Sequence, residues 1–195
     1  FTIPGDDTYT FTPSATNGVV WTCEETALLN NNGTFNPKAA GGDVLTAAKG
    51  DVAKHLNVTV GLSKEFPCII KNQAELTKFT QYINSGITFY YNTSAADQNP
   101  ETFTNSEPEN FLTGIKINPG GEAAFFKLAD DFNPDFQTES WEGPVGTSAH
   151  PFLGDFNGNG RTVSYLPSAT ANYSGFFGVN KGTIYNLTIE NSNMS

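Results

Sequence analysis

GDFNGNGRTVSYL at 154–166 and GFFGVNKGTIYNL at 175–187 are two related stretches in the last third of the chain. Four positions recur at a 21-residue interval: Gly154 and Gly175, Phe156 and Phe177, Val163 and Ile184, and Leu166 and Leu187. A period near 20 residues with short β-branched runs is too short for a helical hairpin repeat and suits one coil of a β-solenoid. We therefore expect this part of the chain to form a β-helix.

The repeated unit has the composition that stacked coils need. Apolar side chains on the inner face of each strand would stack on those of the neighbouring coil. NGNG at 157–160 is predicted to form a corner between strands, because asparagine and glycine accept left-handed backbone conformations. Phe156 and Phe177 are expected to fill the interior at equivalent depth.

Residues 72–85 carry the clearest helix signal. Asn72 suits the N-cap position, Glu75 completes a capping box three residues later, and Gly86 supplies a stop. One apolar stripe follows helical spacing: Leu76, Phe79 and Ile83. The prediction is an amphipathic helix that caps the open end of the β-helix, since the ends of a solenoid need a cover.

The region 1–62 has a different pattern. Five β-rich runs alternate with turn signals: TYTFT (8–12), GVVWT (18–22), GTFNP (33–37), DVLTAA (43–48) and HLNVTV (55–60). Short strands at this spacing predict a small β-sandwich. Farther along, weak periodicity at 92–122 predicts an insertion loop with one strand pair.

This first region resembles the immunoglobulin-like domains of bacterial surface proteins. Four stretches carry the resemblance: NGVVWT (17–22), NGTF (32–35), KAAGGDVLTA (38–47) and LNVTV (56–60). In that family a strand tryptophan, here Trp21, precedes a G-x-(F/V) turn and a K-A-A-G hairpin. Cys23 stands where serine is usual. The resemblance implies an Ig-like β-sandwich over residues 1–62.

Residues 66–195 resemble the GLUG-motif β-helix family. Five stretches follow the order of its motifs: LADDF (128–132), WEGPVGT (141–147), PFLGDFNGNG (151–160), GFFG (175–178) and GTIYNL (182–187). Asn157 replaces the usual aspartate and Phe176 the usual leucine. The resemblance implies the start of a right-handed parallel β-helix, of a kind found in secreted or wall-attached bacterial proteins. The expected fold class is thus all-β, with one capping helix.

Composition narrows the classes of function. The 195 residues carry a net charge of −10, and the sequence contains no cluster of basic residues. Both features argue against nucleic-acid binding. No run of about 18 apolar residues exists, so we expect no membrane-spanning segment. Cys23 and Cys68 lie outside any metal-ligand spacing, and the sequence leaves a disulfide between them open.

Carboxylates are densest in the middle of the second region. Glycoside hydrolysis uses paired carboxylates, and carboxylate oxygens also suit a cation site. Asp130, Asp131 and Asp135, with Glu139 and Glu142 nearby, are therefore the candidate metal ligands and the candidate groups for chemistry on a glycan.

Aromatic side chains are the candidates for stacking on sugars. Trp141, Tyr165 and Tyr185 are the candidate ligand-binding residues, and we expect the two tyrosines to be near neighbours on the outer surface, one coil apart. His55 and His150 stand alone, without a nucleophile or a metal-binding motif beside them. We expect no catalytic residue and no cofactor.

These features predict a non-enzymatic module of a secreted or cell-surface bacterial protein with an adhesin-like or structural stalk role. The expected location is extracellular, and the expected partner is a host matrix protein or a polysaccharide. The alternative is a polysaccharide-binding or polysaccharide-cleaving β-helix protein, a glycan hydrolase or lyase. The chain lacks a starting Met and stops after a strand-like run, so we expect a piece of a longer protein whose last coil self-associates end to end.

Overall fold

The computed structural model describes residues 2–3, 9–10, 18–24, 27–29, 34–37, 40–92, 103–107, 114–120, 124–137, 143–166 and 175–190. Within these ranges the chain is mostly strand, with one short helix, which confirms the prediction of an all-β fold. That helix is neither long enough nor apolar enough to cross a membrane.

In the described part of the first region, seven strands form two sheets. The strands are β1 (Thr2–Ile3), β2 (Tyr9–Thr10), β3 (Val20–Cys23), β4 (Ala27–Leu29), β5 (Thr34–Pro37), β6 (Gly41–Lys49) and β7 (Val52–Val60). The sheet orders are β1-β7-β6-β3 and β2-β5-β4, with β1 parallel to β7 and the other pairs antiparallel. Each of the five predicted β-rich runs contains strand, and β1 and β4 are additional.

A small apolar cluster joins the two sheets. Phe35 of β5 packs with Leu45 of β6 and with Val58 and Val60 of β7, and all four side chains are buried. The longest pairing in this region is the β6–β7 hairpin, whose turn is made at Gly50 with φ of 59°. Burial at every second residue toward the end of β7 explains why HLNVTV is recognisable as a strand.

The helix α1 spans Gln73–Ser85 and has both predicted caps. The Asn72 Oδ1 atom accepts the N–H of Glu75 at 3.0 Å, and Glu75 Oε2 accepts the N–H of Lys71 at 2.6 Å. At the other end Gly86 has φ of 67°, and its N–H donates to carbonyls of the last helical turn. The capping signals thus fix both ends of α1.

A three-stranded antiparallel sheet follows α1. Its strands are β9 (Phe89–Asn92), β10 (Phe103–Thr104) and β11 (Gly114–Ile117), in the order β10-β9-β11. Their inward side chains, including Phe89 and Phe103, are buried in the main core. The sequence predicted a single strand pair here, because the pattern between these strands is too polar to show both pairings.

Four parallel strands form the sheet that organises the second region. They are β8 (Cys68–Ile70), β12 (Phe125–Leu128), β13 (Asp155–Ser164) and β14 (Thr183–Glu190), in the order β14-β13-β12-β8. Further parallel bridges connect Val145 with Phe177 and Phe152 with Asn180. Successive passes of the chain through this sheet therefore run in one direction and lie side by side.

The stacking interval is longer than the interval of the repeat. Phe156 pairs with Ile184 rather than with Phe177, and Val163 pairs with Ile189 rather than with Ile184. Phe177 belongs instead to a separate bridge outside the β13–β14 pair. The prediction of a 21-residue coil is therefore wrong, because residues that recur at the 21-residue interval are not paired with each other in neighbouring strands.

The predicted corner at 157–160 is present as a bend within β13. Asn159 and Gly160 have φ of 55° and 69°, and the pairing with β14 shifts at this point. Asn186 makes the matching bend in β14 with φ of 54°. A Cβ at Gly158 would lie 2.6 Å from Leu187 Cβ, so the close approach of the two bends requires glycine there.

The main core is built around Phe79 of α1. Its ring centroid lies 4.8 Å from that of Phe126, 6.1 Å from that of Phe152, 6.0 Å from that of Phe156 and 6.5 Å from that of Phe103. These rings come from β12, from the Phe152 bridge, from β13 and from β10. The apolar stripe of α1 thus covers the inner side of the parallel sheet.

Asn84 ties the end of α1 to the segment 143–150. Its Nδ2 donates to the carbonyl of Pro144 at 3.0 Å, and its Oδ1 accepts the N–H of Gly146 at 2.7 Å. The Asn84 carbonyl lies 2.8 Å from Nδ1 of His150. These contacts join parts of the chain that are distant in sequence, and they orient α1 against the sheet.

Cys23 and Cys68 are not bonded to each other. Cys23 packs against the Phe35 cluster, whereas Cys68 is fully buried in the main core. Burial raises the pKa of the Cys68 thiol well above its ordinary value, so the thiol stays protonated at neutral pH. The disulfide that the sequence left open is therefore not formed.

We expect Phe79→Ala to lower the free energy of unfolding by about 3–5 kcal/mol, because it empties a fully buried ring site. Equilibrium unfolding in urea measures this loss. Gln81→Ala, on the exposed face of the same helix, is the matched control and should change stability by less than about 0.5 kcal/mol. Equal losses in the two variants would contradict the central position of Phe79.

Candidate binding cleft

An open cleft of about 590 Å³ lies where β8 and β12 end. Its lining combines a small apolar surface with two lysines and two aspartates: Ile69, Lys71, Lys127, Leu128, Ala129, Asp130 and Asp131. The two strands end at the same level, because Ile70 pairs with Leu128 and the Ile70 carbonyl accepts the Ala129 N–H at 2.9 Å. We refer to this site as the β8–β12 cleft.

Asp130 is the best-positioned polar group of the cleft. Its Oδ1 accepts a hydrogen bond from Asn159 Nδ2 at 2.6 Å and lies 3.7 Å from Nζ of Lys127. The same Asn159 amide donates to the carbonyl of Leu128 at 3.0 Å. Arg161 Nη1 donates to the Asp130 carbonyl at 2.8 Å. The bend of β13 therefore holds the turn that follows β12.

The Asp130 carboxylate is kept ionised. The hydrogen bond from Asn159, followed by the positive charge of Lys127, lowers the pKa of Asp130 below its ordinary value. The side chain is 89% exposed, so a ligand has access to the carboxylate. An ionised carboxylate can accept hydrogen bonds, and a carboxyl group with a lowered pKa is poorly suited to act as a general acid at neutral pH.

Lys71 lies on the rim of the cleft between β8 and α1. Its main-chain N–H is bonded to Glu75 Oε2, so the N-terminal capping of α1 also fixes the backbone of this lysine. Lys127 lines the cleft from β12. The cleft therefore presents donors and acceptors of opposite charge above an apolar floor.

The structure brings two of the three candidate metal ligands together. Asp130 and Asp131 both line the cleft, whereas Asp135 lies outside its lining and uses Oδ1 to accept the N–H of Gln137 at 2.9 Å. Within the described ranges no group of three or more His, Cys, Asp or Glu side chains is arranged to hold a metal ion. Glu139 and Glu142 lie outside the described residues.

Tyr165 and Tyr185 lie at different ends of the β13–β14 pair. Tyr185 pairs with Asn157, whereas Tyr165 follows Ser164 and donates its N–H to the Glu190 carbonyl at 3.2 Å. The expectation that the two rings are near neighbours is wrong, because it assumed a 21-residue coil. Paired residues of β13 and β14 are more than 21 positions apart in the sequence, so Tyr165 and Tyr185 fall at different points along the two strands.

The three aromatic candidates differ in their surroundings. Tyr165 is 39% exposed. Tyr185 is half-buried, and the Lys64 ammonium lies 6.0 Å from its ring centroid. Trp141 lies outside the described residues. A ligand role for these residues stays a prediction.

Reasoning from sequence missed the groups that complete the cleft and support it. Lys71, Lys127 and Arg161 carried no motif, and Asn159 was predicted to form a corner and not to contact Asp130. An asparagine that is predicted to adopt a left-handed backbone conformation is a usable signal for such a contact, since its side-chain amide can bond to another part of the chain. Its partner, 29 residues away, depends on how the strands stack.

Comparison of the chain with protein-family models, with curated proteins and with solved structures finds no match. The resemblances to immunoglobulin-like domains and to the GLUG-motif family therefore stay predictions.

We expect Asn159→Gly to raise the pKa of Asp130 toward its ordinary value, because it removes the largest cause of the lowering while glycine keeps the left-handed backbone. A carboxyl-carbon NMR titration measures the change. Since the folded-state pKa is depressed, the stabilisation from this contact is present at neutral pH and is lost as the pH falls through the folded-state value.

The matched control is Asn186→Gly, which alters the equivalent bend of β14. Its side chain bonds to Asn157 Oδ1 at 3.3 Å and not to Asp130, so the pKa of Asp130 should stay where it is. An unchanged pKa in Asn159→Gly, or an equal shift in both variants, would contradict the assigned role of Asn159.

Proposed function

We propose that the chain is a non-enzymatic, ligand-binding module of a secreted or cell-surface bacterial protein. The observation that carries the proposal is the β8–β12 cleft, in which an ionised carboxylate and two lysines stand at the ends of stacked strands. The module would display the cleft outside the cell in an adhesin-like role.

The finer fold in this proposal is an Ig-like β-sandwich followed by the first coils of a right-handed parallel β-helix with α1 as its cap. Side chains shared between two sheets in the Phe35 cluster support the sandwich. Parallel pairing of β8, β12, β13 and β14, together with left-handed bends at Asn159 and Asn186, supports the β-helix. This combination is the one that the two sequence resemblances imply.

The chemistry of the cleft favours a polar ligand with several hydroxyl groups. The carboxylates of Asp130 and Asp131 can accept hydrogen bonds from hydroxyls, and Lys71 and Lys127 can donate to oxygen atoms. The apolar floor can contact the carbon face of a sugar ring. A polysaccharide or a glycosylated matrix protein therefore fits better than an apolar small molecule.

Cleavage of a polysaccharide is the alternative function, and the same cleft bears on it. A glycoside hydrolase needs one carboxylic acid with a raised pKa to protonate the leaving oxygen. Asp130 has a lowered pKa, caused by Asn159 and Lys127. This difference favours binding without turnover.

A binding screen tests the proposal. The purified chain is presented to an array of polysaccharides and matrix proteins, and the same wells are assayed for released sugar. We expect specific retention without product. Asp131→Asn should weaken retention about tenfold, because it removes one charge-assisted hydrogen bond from the cleft.

Asp51→Asn, at the exposed turn of the β6–β7 hairpin, is the control and should retain ligand as the parent chain does. Sugar release that is lost in Asp131→Asn would replace the proposal with the enzymatic alternative. Absence of retention across the array would contradict the binding role and leave a structural stalk.

A further inference from the structure

We propose that the β8–β12 cleft is one end of a longer binding surface, which crosses the outer face of the parallel sheet to Tyr185 and takes a linear, uncharged polysaccharide. This inference rests on the proposed function, since it assigns the ligand class of the same cleft. It adds a second point of contact and a direction for the ligand chain, perpendicular to the strands.

The strand register places four side chains of the second region in one row. Lys127 pairs with Ile69 on one side and with Asn157 on the other. Asn157 pairs in turn with Tyr185. Paired positions of neighbouring strands lie on the same face of a sheet. Because Ile69 and Lys127 line the cleft, this row leads from the cleft to Tyr185, and we refer to it as the outer row.

The side chains of the outer row face away from the main core. The residues that precede Lys127, Asn157 and Tyr185 in their strands belong to the core or pack against it: Phe126, Phe156 and Ile184. Successive side chains of a strand point to opposite faces, so Lys127, Asn157 and Tyr185 point outward. All three are partly exposed. The outer row therefore uses a face of the sheet and not one of its edges.

Tyr185 lies too far from the cleft for a single sugar to contact both. Adjacent strands are about 4.8 Å apart, so the backbone of Tyr185 is about 10 Å from that of Lys127, with Asn157 between them. This distance is longer than one pyranose ring. A ligand that contacts both positions is therefore a chain of linked sugars, which meets one side chain of the outer row at each strand.

Ion pairs beside the outer row favour an uncharged ligand. Lys127 Nζ lies 3.7 Å from Asp130 Oδ1, and Lys64 Nζ lies 3.4 Å from Asp155 Oδ2. Asp155 is on the same face of β13 as Asn157. An ionised sugar would be repelled by one member of each pair. Hydroxyl groups can donate to the carboxylates and accept from the ammonium groups, so a neutral sugar uses both members.

Tyr185 supplies an aromatic ring at the far end of the outer row. Such a ring has an apolar face on which the carbon face of a sugar can stack. The Lys64 ammonium lies 6.0 Å from the ring centroid, and its side chain is 68% exposed, so a donor stands beside the ring. Asn157 Oδ1 accepts the N–H of Asn159 at 2.8 Å and Nδ2 of Asn186 at 3.3 Å, which fixes the amide midway along the row.

Oligosaccharides of increasing length test the extended surface. Mono-, di-, tri- and tetrasaccharides of the cello, xylo and manno series are titrated into the full chain by calorimetry. We expect the trisaccharide of the preferred series to bind at least about tenfold more tightly than its monosaccharide, because only the longer chain reaches Tyr185. Oligogalacturonides of the same lengths carry carboxylates and should bind more weakly.

Substitution of Tyr185 tests the second contact. Tyr185→Asn should lower the affinity for the trisaccharide about tenfold and leave that for the monosaccharide unchanged. Tyr185→Phe keeps the ring and should bind as the parent does. Tyr165→Asn is the matched control, because Tyr165 is 39% exposed, lies outside the outer row and has a left-handed backbone that asparagine tolerates. Circular dichroism should show the parent spectrum for every variant.

The outcomes separate this inference from the proposed function. Binding that Asp131→Asn weakens, but that depends neither on ligand length nor on Tyr185, would overturn the extended surface and leave the cleft as the whole site. Tighter binding of oligogalacturonides than of every neutral series would overturn the uncharged class. If no series binds while the array retains another ligand, this inference alone fails. If neither experiment finds a ligand, the proposed function fails with it.

Discussion

The packing of Phe79 against rings from the parallel strands is the contact on which the second region depends. Parallel strands cannot be joined by tight turns, so each pass of the chain must leave the sheet and return. α1 belongs to one of these excursions, and its apolar stripe returns to cover the inner face of the sheet. Phe79 touches Phe126, Phe152 and Phe156 together, and so fixes the helix relative to two neighbouring passes of the chain.

Asn159 connects this architecture to the cleft. Its left-handed backbone turns β13, and its side chain then reaches the turn after β12, where it bonds to Asp130 and to the Leu128 carbonyl. The cleft is therefore shaped by the stacking of neighbouring strands more than by its own local sequence. Lys71 shows the same dependence, since the capping of α1 holds its backbone at the rim.

Local features were predictable from the sequence, whereas stacking and the cleft were not. Asn72, Glu75 and Gly86 identify the ends of α1, and the NGNG stretch identifies the bend of β13, because capping and left-handed conformations depend on residues close in sequence. The 21-residue repeat is present in the sequence, yet the residues that pair between β13 and β14 are separated by more than 21 positions. The neighbours of Asp130 come from 29 and 31 residues away, so a register error of a few positions would assign other neighbours. Candidate sites inferred from clusters along the chain therefore included Asp130 and missed Asn159.

The stacking register is the central feature of the fold, and an engineered disulfide measures it directly. The structure pairs Thr162 with Thr188, whereas a 21-residue coil would pair Thr162 with Thr183. Under oxidation, the Thr162→Cys/Thr188→Cys variant should form an intramolecular disulfide detectable by peptide mass spectrometry, because paired strand positions lie within disulfide reach. Efficient cross-linking of Thr162→Cys with Thr183→Cys instead would contradict the register and the cleft built on it.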